Sequence, residues 1–524
     1  MPHRPRRPAQ RHRRAAALLG LAALSVVAAC SSAPAPDVLS APRSTPLGTA
    51  VVGAQGQPVL DATAPAGSAA PTGPATGPGV PTGAATSSVG PTGRPSASAA
   101  VQAGAGTRAP AATVAGGGTT PASGGGTAAA AAGPAPARST LFTAGEDSIG
   151  ITPTSLRMCA HAALTYGKAF NTDTDDLNVF WTALNAESNG INGRKVEVTY
   201  ENDNYSPDTA VQAATTCVSK KIFMLLGGIG FDQIPAVRNY VERSHTLYLH
   251  HSATVEGSAG QRYSFSELPT VERLGEGFAQ LAASKFRGKR IGIIERDSAN
   301  WKPGVTAFKA AAARYGLTVV ADVAVPASAG NYTGPITTMK NANVDVVWIW
   351  LNALESTQVI KQMKAQLYSP NIMAFPFNLT TQTLGDDALG PPLDGVAMYP
   401  AYSRGDYSGT FASYADDMKQ FEGQYARYRP NADLSGAGGD LLFLNWTAQK
   451  ALAVQLALCG KDCTRNRFVD VLTGYRGTPT SSACPIDFPG SDGYRGANQV
   501  TFMSSYRAPG GAVNWRETRK CVAP

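Results

Sequence analysis

Adjacent His250 and His251 are the residues best suited to hold a metal or move a proton near neutral pH. In an extended segment neighbours point to opposite faces, so two adjacent imidazoles do not converge on one ion. A strand-end structural or ligand-contacting part is expected instead. Gly228-Ile229-Gly230-Phe231 stands just before a predicted helix. Such glycines let backbone N–H groups approach a carboxylate at the positive helix end. The dinucleotide fingerprint needs a third glycine, where this chain has Gln233. Cys459 and Cys463 have no second ligand pair at a zinc-site spacing. The paired acids Asp175-Asp176, Asp386-Asp387 and Asp416-Asp417 fall at helix starts or on exposed helix faces, where capping and solvation explain them. Neither H-E-x-x-H, G-x-S-x-G nor a P-loop occurs. The expectation is a protein that binds without catalysing, with no cofactor and no metal.

These residues sit on an α/β alternation that fills 140–524. Strands are predicted at 157–163, 195–200, 222–226 and 247–250, and helices at 173–188, 208–219 and 235–243. The first helix carries Leu177, Phe180, Trp181 and Leu184 at i, i+3, i+4 and i+7, and the turn run Asn189-Gly190-Ile191-Asn192-Gly193 follows it. The pattern then restarts. Helices are predicted at 271–284, 304–315, 336–341 and 356–367, and strands at 290–294, 318–323, 344–350, 371–375 and 396–399. Trp348 and Trp350 share one strand face and read as core or cleft wall. Three more helices are predicted at 411–428, 440–459 and about 465–472. A strand followed by a helix, repeated, implies parallel sheets with crossover helices on both faces. Two such sets imply two lobes, with a ligand in the crevice between them.

The ends of the chain carry different information. The formal charge is +8 over 524 residues, and residues 1–140 supply all of it, with ten arginines, no lysine and two acids. The remainder sums to zero, so no broad basic surface exists for a nucleic acid. Arg4, Arg6, Arg7, Arg11, Arg13 and Arg14 precede an apolar run at 15–29. That run is shorter than the roughly 20 residues of a spanning helix but suits a secretory signal. It ends Val27-Ala28-Ala29-Cys30-Ser31-Ser32, which resembles a bacterial lipobox and makes Cys30 the expected lipid site. The leader is therefore 1–29, and its Arg-Arg pairs leave both the general and the twin-arginine export routes open. Residues 30–139 are Ala, Gly, Pro, Thr and Ser with almost no charge and no aromatic residue. Such a segment cannot offset its ordering entropy and reads as a disordered spacer, roughly 55–60 Å r.m.s. as a flexible coil. Setting Cys30 aside leaves six cysteines, which suits an oxidising compartment and allows fifteen pairings. Proximity favours Cys459 with Cys463 and Cys484 with Cys521, which leaves Cys159 with Cys217.

The folded part resembles the type I periplasmic binding proteins, specifically the branched-chain amino-acid (leucine-binding) family that serves ABC importers. The resemblance begins with the amphipathic stretch Leu177–Leu184 and then Asn189-Gly190-Ile191-Asn192-Gly193-Arg194-Lys195-Val196-Glu197-Val198. Glu201-Asn202-Asp203, Ser206-Pro207-Asp208-Thr209-Ala210-Val211, Leu226-Gly227-Gly228, Ser252-Ala253-Thr254 and Arg290-Ile291-Gly292-Ile293-Ile294 follow in the family's order. It covers about 150–510. It implies a two-lobed fold, each lobe a parallel sheet flanked by helices, joined by three crossings and closing like a hinge. Lobe one would be about 150–268 and 402–486, and lobe two about 269–401 and 487–524. It also implies an extracytoplasmic protein, held at the cell membrane through lipid on Cys30, that presents a small solute to ABC permease subunits. A ligand sensor or cell-wall interaction protein on the same scaffold is the alternative, and the long spacer favours it.

By the same resemblance the ligand would meet lobe one at Thr165 and Tyr166, at Gly228, Gly230 and Phe231, and at Ser252, Ala253 and Thr254. The last three offer hydroxyl and N–H groups to an anionic carboxylate. Lobe two would add Asp297, the covering ring of Trp301, and Asn352 with Glu355, whose carboxylate suits an ammonium. Phe375-Pro376-Phe377-Asn378 matches a loop where amino-acid binders commonly carry an acid. Phe377 and its neighbours supply none, so an apolar or aromatic carboxylate, an amide or a peptide-like compound stands beside an amino acid.

Overall fold

The computed structural model describes residues 139–165, 172–228, 230–251, 254, 260–266, 268–376, 379, 393–487, 498–508 and 513–524. The expected leader, Cys30 and nearly all of the spacer lie outside them, as do Tyr166, Ser252, Ala253 and Phe377. No helix among the described residues is long and apolar enough to cross a membrane.

The first sheet is ordered β2 (Lys195–Asn202), β1 (Ser155–Ala162), β3 (Met224–Leu226), β4 (Tyr248–His250), β5 (Ser264–Ser266). All of its neighbouring strands are parallel. A short α1 (Ala144–Asp147) precedes it. Its crossovers carry α2 (Thr174–Leu177), α3 (Val179–Ser188), α4 (Pro207–Ser219) and α5 (Gln233–Arg243). The single helix predicted over 173–188 is broken at Asn178, whose side-chain amide donates to the Val198 carbonyl at 3.2 Å. Beyond the break Val179, Phe180, Trp181 and Ala183 are buried. Pro207 opens α4 at a position whose N–H needs no helical partner. A disulfide from Cys159 to Cys217 ties β1 to α4 inside an apolar cluster with Leu225, Ile234 and Val237.

The second sheet is ordered β14 (Val513–Val522), β13 (Val500–Arg507), β10 (Asp394–Ala397), β9 (Asn371–Ala374), β8 (Val346–Trp350), β6 (Arg290–Arg296), β7 (Thr318–Val325). From β10 to β7 it is parallel, with α6 (Val271–Lys285), α7 (Lys302–Arg314), α8 (Thr333–Asn341) and α9 (Ala353–Ala365) as crossovers. The last two strands are antiparallel. They form a hairpin, which needs no crossover helix and so breaks the alternation the sequence reading relied on. The core here is aromatic: Trp348 stacks on Phe308 at 4.4 Å and lies 5.1 Å from Phe278. Truncating such a buried ring to Ala typically costs about 3–5 kcal/mol.

Between β10 and β13 the chain returns to the first lobe as α10 (Ala415–Tyr428), α11 (Gly436–Cys459) and α12 (Arg465–Gly474). Arg429, just after α10, pairs with Asp173, Asp175 and Asp176 at the start of α2. Asn445 and Gln449 of α11 both donate to the Leu177 carbonyl. Arg465 is buried and donates to the carbonyls of Ile222 and Phe223; burial pushes its guanidinium down to about 10. The connections after β5 and after β10, and that between β12 (Ile486–Asp487) and β13, are the crossings between lobes; β12 itself pairs antiparallel with β11 (Arg476–Gly477). Disulfides close the end of α11 through Cys459–Cys463 and tie the segment just before β12 to β14 through Cys484–Cys521. Two of the bonds are the pairs that proximity favoured, and Cys159–Cys217 is the pair they left over.

Candidate functional site

A cavity of about 210 Å³ opens where the first sheet's strands end. The ends of β1 (Ala160–Leu164), β3 (Leu226–Gly228) and β4 (Leu249–His251) form its floor. The α11 residues Leu441, Leu444, Asn445, Ala448, Gln449 and Leu452 form one wall, and all three crossings close it, through Leu268, Tyr399 and Gln499 among others. This position follows from topology: parallel strands leave their carboxyl ends on one side, and the crossover loops open a crevice there.

Its surface is predominantly apolar, and no Asp, Glu, Lys or Arg lines it among the described residues. The polar groups are the imidazoles of His161, His250 and His251, the carboxamides of Asn445, Gln449 and Gln499, and a few hydroxyls. The Oε1 atoms of Gln449 and Gln499 are buried without a hydrogen-bond partner among the described residues. His250 is buried and His251 half-buried, and both line the cavity. His250 is the last residue of β4, and His251 follows it. Burial pushes the His251 imidazole down to about 4, with His161 adding to the effect, so the ring is neutral at neutral pH.

Behind the floor lies a buried polar chain that the sequence reading missed. His161 Nδ1 is 2.8 Å from Asp203 Oδ2, and its Nε2 is 2.7 Å from the Tyr248 hydroxyl; all three residues are fully buried. Burial pushes the Tyr248 phenol well above its ordinary range. The chain joins the ends of β1 and β2 to β4, and it holds the floor in one geometry. Its only sequence signal was a histidine inside an apolar strand. Two glycines let the β3 turn press onto it. A Cβ on Gly228 would stand 2.7 Å from the His161 carbonyl oxygen and 3.3 Å from Asp203 Oδ2, and one on Gly227 would meet His250 Cβ at 2.6 Å.

The residues singled out from the sequence are dispersed. Gly228 lines the cavity. Thr165 is exposed and bonds Asn202 and Asn204, joining two strand-end loops. Gly230 takes φ +125°, a left-handed conformation that suits glycine. Thr254 is buried. Asp297 is exposed and its backbone N–H donates to Val325. Phe231 and Trp301 meet each other, with ring centres 4.8 Å apart, and not the cavity. Asn352 and Glu355 form a capping box at the start of α9. The Glu355 carboxylate also accepts from Arg296 at 2.6 Å and from the Ser328 N–H at 2.7 Å. It is therefore engaged by a helix end and a cation rather than presented to an ammonium. Neither Asp232 nor Arg296, which surround this group, was singled out from the sequence. No group of three or more potential metal-ligating residues occurs among the described residues.

The sequence profile of a family described as periplasmic binding protein matches residues 150–504. No curated protein matches by sequence. Among solved structures, a solute-binding protein of an ABC transporter from Rhodopseudomonas palustris, in complex with 3,4-dihydroxybenzoic acid, is 16% identical with a TM-score of 0.57; the match covers 70% of this chain and 98% of that one. A fatty acid ABC transporter substrate-binding protein from Thermomonospora curvata is 16% identical with a TM-score of 0.59, covering 72% and 94%. A leucine-binding protein from Thermotoga maritima is 14% identical with a TM-score of 0.55, covering 69% and 97%. At these identities the likeness is one of fold.

Proposed function

The chain belongs to the periplasmic binding protein family, and from that premise we propose that it is a lipid-anchored, extracytoplasmic solute-binding protein of an ABC importer. The observation that carries the reading is the cavity between lobe-one strand ends, α11 and the crossings. Its volume of about 210 Å³ is below the ~300–1,000 Å³ of pockets for drug-sized molecules, so the solute is compact. Its apolar surface suits an aromatic or aliphatic body. Among the described residues no acid lines it to pair with an ammonium, which weighs against a free amino acid. The carboxylate would be met by His250 and His251 together with the Gly228 N–H. Fold relatives that take 3,4-dihydroxybenzoic acid and fatty acid support an acid of this kind. Cys30 would carry the lipid, with the segment up to 139 as the spacer that lets the lobes reach permease subunits.

Calorimetry on the full-length chain tests this with a panel of hydroxybenzoates, medium-chain fatty acids, leucine and short peptides. Binding of an apolar acid, abolished by Ala448→Trp in the cavity wall, is the expected result. Preference for leucine, or acid binding that Ala448→Trp leaves intact, would overturn the assignment of ligand and site. The length of the spacer favours a second reading, a sensor or cell-wall interaction protein. Affinity capture from native membranes separates the two, by recovery of permease subunits or of a kinase or wall polymer.

A further inference from the structure

The two lobes meet at a second place, separate from the cavity. Phe231 and Asp232 stand just ahead of α5 in lobe one. The Phe231 ring lies 4.8 Å from Trp301, 5.6 Å from Trp350 and 6.4 Å from Phe375, and the residue is 6% exposed. Its three ring partners belong to the carboxyl ends of β8 and β9 and the start of α7, all in lobe two. The neighbouring carboxylate is held through both oxygens. Asp232 Oδ1 accepts from Ser298 Oγ at 2.6 Å and from Asn300 Nδ2 at 3.1 Å. Its Oδ2 accepts from Trp301 Nε1 at 3.2 Å and lies 3.5 Å from Arg296 Nε.

The wall that receives them is itself braced. Glu355 holds the other side of the Arg296 guanidinium at 2.6 Å, and Trp350 Nε1 donates to the Trp301 carbonyl at 2.9 Å. An aromatic cage beside a cation and three neutral donors is what recognition of an aromatic carboxylate requires. It lies outside strand ends, where open α/β sheets place ligands. None of these wall residues lines the cavity.

We propose that the lobe-two wall of the cleft is an aromatic-carboxylate site filled in cis by Phe231 and Asp232, which act as an internal ligand and latch the lobes together without solute. The inference goes beyond the transport reading and does not depend on what occupies the cavity. The solute then enters a protein whose closed state is already populated, and an exogenous aromatic acid reaches the wall once the internal one is removed.

The test uses the full-length chain, spin-labelled at exposed Thr216 in lobe one and exposed Thr337 in lobe two, with 3-phenylpropionate as the probe. Without solute the wild type is expected to show one narrow inter-label distance. Phe231→Ala combined with Asp232→Ala broadens and lengthens it, and 3-phenylpropionate restores the short distance while binding at least tenfold more tightly than to the wild type. Adding Arg296→Gln, which touches the wall and not the cavity, removes that gain. Asp232→Asn keeps the shape and loses the charge, and a several-fold larger open population is expected if the double variant does not fold. An open distance in the solute-free wild type would overturn the proposal. So would a folded double variant that stays closed, one that gains less than twofold in probe affinity, or Asp232→Asn with unchanged distances.

Discussion

The His251 imidazole should make solute affinity depend on pH. In the empty cavity burial holds it at about 4, against an ordinary 6.5, with His161 contributing. A carboxylate seated against it would favour the charged ring and return the bound-state value at least to the ordinary one. The sign follows: binding takes up a proton, so affinity rises as pH falls. At pH 8 the ring is neutral with or without solute. At pH 5 it is about one-tenth protonated when empty and almost wholly protonated when occupied. The ratio gives about 30-fold tighter binding at pH 5 than at pH 8, or about 2 kcal/mol. Calorimetry at both pH values in buffers of different ionisation enthalpy measures the affinity and the proton uptake together. His251→Gln keeps a donor but cannot titrate, and should flatten the dependence. A flat profile for the wild type, or an undiminished slope in His251→Gln, would refute the placement of the carboxylate.

Two further outcomes follow from buried groups. Burial raises Glu517 to about 7 against 4.5, with Lys520 opposing, so the protonated form is favoured in the folded state. Its contribution to stability is complete below pH 4.5 and lost as pH rises through 7. Glu517→Gln should therefore stabilise the protein at pH 8 by up to about 3 kcal/mol and have little effect at pH 4.5, read by urea unfolding at both pH values; equal effects would contradict it. Gly228→Ala forces a methyl to 2.7 Å from the His161 carbonyl oxygen. The floor must shift, at about 1–3 kcal/mol of overpacking, and solute affinity should fall at least tenfold while the fold persists; unchanged affinity by calorimetry would show that the floor does not touch the solute.

Much of the scaffold was legible because it is local. Val346–Trp350 is wholly buried and reads as a central strand, and the run Ala353–Ala365 opens on an Asn352–Glu355 capping box three residues apart. The C-terminal hairpin was not legible. In Val513–Val522 the exposed Arg516, Thr518 and Arg519 interrupt an apolar pattern that only pairing with β13 makes coherent. The site was less legible than the fold, since its groups meet only in three dimensions. His161 finds Asp203 and Tyr248 at separations of 42 and 87 residues. The cavity wall is one face of α11, whose long apolar stretch marks no side as special. Phe231 and Trp301 carry chemistry that fits a ligand, and the structure sets that chemistry against itself across the lobes. Glu355 has the charge to hold an ammonium, but Arg296 lies beside it from a strand 59 residues earlier.

Native mass spectrometry of the full-length chain, purified without denaturation from its own cells, tests the central claim most directly. The account predicts a single small acidic solute bound at one per chain, lost in Ala448→Trp and retained in Arg296→Gln. A chain that carries no solute and takes up none from a cell extract, or an adduct that survives Ala448→Trp, would contradict it.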